Sequence, residues 1–204
     1  MALVFIAVAL CGCIEVKNFG GFWAEAQVDS ELVGHWRSTD GFTCEITLSG
    51  QNLTMRETIP DAETQRIFEK FIPPGGWLVK TLTHHGEKFL LVKTAEGAEG
   101  GTLRRYTLTE KNLTFFVFDD HTLEQGIRSG VVQGTIRERI PYDPKKEGVP
   151  NPLTALPVCT ISVLTTDALE FLLSEKNAKH WSERTYVTYR AEETQAPGSE
   201  PKRK

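Results

Sequence analysis

The side chains able to do chemistry fall into small, separate groups. His84-His85 precedes Gly86 at what reads as a strand end, and Asp119-Asp120-His121 opens a helical segment. Imidazole nitrogen and carboxylate oxygen are donor atoms that zinc and its neighbours accept. Adjacent residues on a strand point to opposite faces, however, so His84 and His85 are expected to diverge rather than share an ion. A polar turn and a helix N-terminus account for both groups, with the Asp residues meeting the positive end of the helix dipole. No metal and no cofactor is assigned. The chain also lacks His-Glu-x-x-His, Gly-x-Ser-x-Gly and the Walker loop, spacings that build common hydrolytic and nucleotide sites. Gly97-Ala98-Glu99-Gly100-Gly101 departs from the dinucleotide-binding pattern and reads as a flexible turn. No catalytic residue follows. Whether the protein is an enzyme stays open, the alternative being a hydrolase or metal enzyme that uses His84, His85 and His121.

Cys44 and Cys159 fall on the inward-reading faces of two segments that alternate apolar and polar residues. In an oxidising compartment they could pair, and closing so long a loop would contribute roughly 4–5 kcal/mol in the chain-entropy account. The alternative is two buried thiols acting as small hydrophobes. Asn52-Leu53-Thr54 and Asn112-Leu113-Thr114 match the glycosylation acceptor pattern, which matters only in a eukaryotic secreted protein.

These residues need strands to hold them. Phe42, Cys44, Ile46 and Leu48 alternate with Thr43, Glu45 and Thr47, the period of a half-buried strand. Ser49-Gly50 turns it towards Leu53 and Met55. Further hairpins are expected from Trp77–Thr83 to Lys88–Thr94 through His85-Gly86, and from Leu103–Thr109 to Leu113–Phe118. Val132-Gly134-Ile136, Cys159-Ile161-Val163 and Thr185–Arg190 add one-sided strands. Three segments interrupt them with helical spacing: Asp61–Ile72, Asp119–Ser129 and Thr166–Asn177, the last with Asp167 and Glu170 placed like a capping box. Many short strands separated by turns argue for an antiparallel barrel or sandwich, mainly β with accessory helices. Ile140–Pro157, with five prolines, reads as a long surface loop.

A net charge of −4, with Lys and Arg scattered, gives no basic field, so nucleic acid is excluded as a partner. The chain length fits one domain.

Ala2–Leu10 is an uncharged apolar run, too short for the roughly 20 residues of a membrane-spanning helix but suited to the core of a signal peptide. Leu10-Cys11-Gly12-Cys13 resembles the bacterial lipobox, in which cleavage falls between Gly12 and an acylated Cys13. The resemblance implies a signal peptide over 1–12, a tether over 13–30, and anchorage in the bacterial cell envelope, facing the periplasm or exterior, with the membrane as partner through Cys13. Phe19, Phe22 and Trp23 are unexpected in a linker and are read as resting on the domain or the lipid.

Gly34-His35-Trp36 is similar to the Gly-x-Trp of lipocalins, whose Trp plugs the closed end of the barrel. The order of segments through Tyr106-Thr107-Leu108, Leu113-Thr114-Phe115, Val131–Arg137 and Leu164–Leu173 also looks like small bacterial lipoproteins with a lipocalin-like domain of uncharacterised function. That likeness implies an antiparallel lipocalin-like barrel or half-barrel over 31–190, with Gly34 and Trp36 at its closure and Arg190 as the residue covering the Trp. A disordered tail would occupy 191–204. It implies a binding module for a small apolar ligand or an envelope protein. The alternative is an envelope structural or interaction protein without a ligand pocket.

Overall fold

The computed structural model describes residues 14–39, 41–62, 65–66, 69, 73–94, 97–137, 158–181 and 187–191. They form a mainly β structure. Eleven strands join in one mostly antiparallel sheet: β1 (Ile14–Val16), β2 (Gly34–Ser38), β3 (Thr43–Ser49), β4 (Asn52–Thr58), β5 (Trp77–His84), β6 (Glu87–Lys93), β7 (Gly101–Leu108), β8 (Asn112–Phe116), β9 (Gly134–Arg137), β10 (Val158–Ile161) and β11 (Val187–Ala191). Helices fully within the described residues accompany them: α1 (Phe22–Glu25), α2 (Asp120–Arg128), α3 (Thr166–Leu173) and α4 (Glu175–Ala178).

Strands β2 to β8 pair with their sequence neighbours, and β6 pairs with both β5 and β7. β11 lies between β8 and β2. The free edge of β7 is shared, with Arg105–Leu108 bonding to β8 and Gly101–Leu103 to β1. β1 then pairs in parallel with β10, and β10 with β9. The expected hairpins therefore form, with their registers set by alternation and short turns.

Two apolar cores lie on opposite faces of β5–β7. The first gathers Trp36, Cys44, Ile46, Leu53, Met55, Trp77, Val79, Leu90, Val92, Tyr106, Leu113 and Phe115. The second holds Phe89, Leu91 and Leu103 from the same strands against Ile14, Val16, Phe19, Ile161, Leu169, Leu172 and Trp181. Because successive side chains alternate between faces, Phe89 and Leu91 enter one core while Leu90 and Val92 enter the other.

Helix α2 starts at Asp119, whose carboxylate accepts from the Thr122 amide and hydroxyl. It stops at Gly130, as its sequence suggested. Helix α3 differs from expectation. Thr165 is its cap, accepting from the Ala168 amide, so Asp167 and Glu170 do not form a capping box. Asp61–Ile72 lies largely outside the described residues, but Gln65 N–H donates to Asp61 O and Glu69 N–H to Gln65 O, the helical pattern. The loop expected over Ile140–Pro157 lies outside them, as does the tail beyond Ala191.

The span 13–30 needs correction from its second residue onward. Ile14–Val16 is a strand inside the sheet, and Phe19 is fully buried. Asn18 O accepts from the Leu164 amide, and Phe19 N–H donates to Glu99 O. Phe19 and Trp23 also pack beneath the Lys93 ammonium, 4.3 Å from the Trp23 ring, and Trp23 O accepts from Lys80 Nζ. Three residues of strand are too few for alternation to stand out, so the apolar and aromatic positions read as linker. Phe19→Ala should lower unfolding stability by about 3–5 kcal/mol, since it opens a hole in the second core. A urea titration reads this, and an unchanged midpoint would return the segment to a loose tether.

Candidate functional site

Gly34 and Trp36 enter the first core together. Gly34 holds φ at 157°, a conformation that side chains other than glycine rarely adopt. Trp36 is 4% exposed, and its indole Nε1 donates to Leu32 O at 2.9 Å. Leu32 closes a short 3-10 turn, Ser30–Leu32, capped by the Asp29 carboxylate. Asp29 does more than cap. Its Oδ2 also accepts from Lys88 Nζ at 2.9 Å and from the Tyr106 hydroxyl at 3.0 Å, tying the entry segment to β6 and β7. Arg190 pairs in register with Arg37, while Ala191 is the residue opposite Trp36, so Arg190 does not take the ladder position beside the Trp.

Deeper in the same core is a buried ion pair. Arg104 Nη1 donates to Glu57 Oε1 at 2.8 Å, with both side chains less than one-tenth exposed. The Arg104 guanidinium lies 5.7 Å from the centre of the Phe115 ring. Glu57 Oε2 meets no hydrogen-bond partner among the described residues. A buried carboxylate oxygen left unpaired costs free energy, and native proteins keep few of them. Sequence reading passed over this pair. Its only trace is Glu57 at an inward position of β4 and Arg104 at one of β7, each breaking an otherwise apolar face.

The cysteines are not joined. Cys44 and Cys159 are both free and buried. Cys44 belongs to the first core, paired in the ladders with Trp36 and Glu57. Cys159 belongs to the second core, on β10. The possible disulfide between them is not formed, and the alternative of two buried thiols is what the structure has: the sheet separates two strand faces that the sequence could only read as inward. Burial, reinforced by the Glu57 charge, raises the Cys44 thiol well above its usual pKa. Burial with the charges of Asp120 and Glu124 pushes Cys159 up to about 11. Neither is a ready nucleophile.

The histidines divide. His121 lies on α2 within reach of Glu124 and Gln125, and His180 is 3.9 Å from Asp119. His84 and His85 meet instead on Glu170 of α3, so the expected divergence of their rings is not observed. The grouping of all three His84, His85 and His121 into one enzymatic centre does not form. Gly12 and Cys13 lie outside the described residues.

Comparison with protein-family models, curated proteins and solved structures gives no significant match. The reading of function therefore rests on this chain alone.

Two measurements test the entry cluster and the pair. Burial alone would raise the Asp29 pKa, but the hydrogen bonds from Lys88, Tyr106 and the Glu31 amide outweigh it and hold the carboxyl below its usual value. A carboxylate depressed in the folded state stabilises above its unfolded pKa, and that stability is lost as pH falls through the folded value. The melting temperature should therefore fall below about pH 4, and less steeply in Asp29→Asn than in the wild type. Arg104→Met should cost about 3–5 kcal/mol, because it strands the Glu57 charge. Glu57→Leu combined with Arg104→Met should restore most of that loss, and a double variant as unstable as the single would show that the pair is not the cause.

Proposed function

We propose that this protein is a lipid-anchored binding module of the bacterial cell envelope, built as a lipocalin-like barrel that holds a small, mainly apolar ligand. The observation that carries the reading is the buried Glu57 oxygen beside Arg104 that meets no partner among the described residues, in a mainly apolar core. Such an arrangement suits a ligand with an apolar body and one hydrogen-bond donor, since sites of this kind combine apolar walls with few polar groups.

Support for the barrel comes from the ladders, which can be followed from β2 through β3, β4, β5, β6, β7, β8 and β11 back to β2. Gly34-x-Trp36 lies on β2, the first strand of this path, and the Trp36 indole bonds to the Ser30–Leu32 turn, which supports the reading. Support for the anchor is the lipobox-like Leu10-Cys11-Gly12-Cys13 after an apolar run. Among the described residues no helix is long and apolar enough to cross a membrane. Because β1 starts at Ile14, acyl chains on Cys13 would hold the folded body close to the bilayer with no spacer between.

A second reading, an envelope interaction protein without an interior ligand, is favoured by how closely the first core is filled: Leu53, Met55, Val79, Leu90 and Leu113 are fully buried. N-phenyl-1-naphthylamine, an apolar fluorophore with one N–H donor, separates the two. Saturable binding by the full chain is expected, weakened at least about tenfold in Glu57→Leu/Arg104→Met, a difference of about 1.4 kcal/mol. No saturable signal, or equal affinity in the double variant, would reject the interior ligand. Acyl-chain labelling of wild type beside Cys13→Ala tests the anchor separately.

A further inference from the structure

Outside both the Glu57–Arg104 pair and the entry cluster, three side chains converge from two elements. His84 ends β5, and His85-Gly86 is the two-residue turn into β6, with His84 and Glu87 paired across it. His85 has φ 49° and Gly86 φ 80°, the left-handed backbone at both positions that fits a tight hairpin to the twist of its strands. That turn removes His85 from the strand alternation and brings its ring beside His84, centroids 4.4 Å apart. Both Nε2 atoms reach the same oxygen of Glu170 on α3, His84 at 3.0 Å and His85 at 2.6 Å.

The arrangement is more than a surface ion pair. A non-glycine residue holds φ > 0 at a place where Asn, Asp or Gly is the usual occupant, and one carboxylate oxygen serves two imidazoles. Neutral imidazole nitrogens and a carboxylate are ligands that suit zinc.

The geometry points to a binding site for a divalent transition-metal ion of the zinc class, held by His84 Nε2, His85 Nε2 and Glu170 Oε1. The ligand atoms of the three residues all lie within 4.8 Å of one another. A tetrahedral ion with bonds of 2.0–2.2 Å spaces its ligands roughly 3.3–3.5 Å apart, so the two short contacts need open by less than about 1 Å around it. His84, with a side chain 18% exposed, is the anchored ligand, whereas His85 at 66% and Glu170 at 49% leave the ion a path from solvent and room for water. Magnesium and calcium are poorly served, since they ask for six or more oxygens. The ion would clip the β5–β6 turn to α3, and both β6 and α3 reach the second core, through Phe89 and Leu169. Binding to the folded state alone raises its stability.

The test uses the full chain, stripped with chelator and titrated with zinc chloride by calorimetry, with melting curves recorded in parallel. One ion per chain and a raised melting temperature are expected, and magnesium chloride should produce neither. His85→Gly keeps the backbone of the turn, and Glu170→Gln keeps the helix and its size. Each should weaken zinc by at least about tenfold and abolish the rise in melting temperature. Zinc binding that is absent, or that survives both substitutions, would overturn the site; the second result would place the ion on other groups such as the cysteine thiols.

Discussion

The structure depends on one strand being buried on both faces. Phe89, Leu90, Leu91 and Val92 of β6 are consecutive and apolar, and each is at most 4% exposed. A strand of that composition cannot leave either face in water, because each side chain of this size that stays exposed forfeits roughly 1.5–3 kcal/mol. Two covers are therefore required. Trp36, Met55, Val79 and Leu113 supply one. The other comes from far along the chain at both ends, from Ile14, Val16 and Phe19 and from Ile161, Leu169 and Trp181. The parallel pairing of β1 with β10 serves the same need, since β1 pairs with β7 and carries β10 beyond it, extending the second cover.

Polar groups are concentrated at the points where these covers meet the strands. Asp29 binds the entry turn to Lys88 and Tyr106, and the Trp181 indole donates to Leu172 O beneath α3. Arg105 bonds Glu87 and lies over the Phe116 and Trp181 rings. Each of these places a hydrogen bond at the border of an apolar core, where desolvation makes an unmade bond expensive. Glu57 departs from the pattern. Its second carboxylate oxygen is buried without such a partner among the described residues.

Much of the strand plan was legible. The Phe42–Leu48 alternation, the Ser49-Gly50 turn and the hairpin through His85-Gly86 correspond to β3, β4, β5 and β6. Helix α2 was legible from its Asp119 cap and Gly130 stop. The Phe89–Val92 run carried a signal that alternation alone overlooks: an unbroken apolar stretch marks a strand covered on both sides. Ile14-Glu15-Val16 was opaque because three residues cannot establish a period, and because its partners lie in β7 and β10. Glu170 was assigned to its own helix by local spacing, whereas its hydrogen bonds go to a turn at the far side of the sequence.

By itself the sequence determined most of the strands and helices, though not β1, and which of their faces are apolar, because periodicity and turn chemistry act between near neighbours. It also carried the lipobox-like residues around Cys13, which are read by chemistry and not by folding. Only the tertiary structure decided which apolar face meets which core, and so kept Cys44 and Cys159 in separate interiors. It alone brought Glu57 to Arg104, and His84 and His85 to Glu170. These pairings join residues far apart in the chain, and no local pattern encodes them: they arise when burial of both faces of β6 brings distant elements to one place.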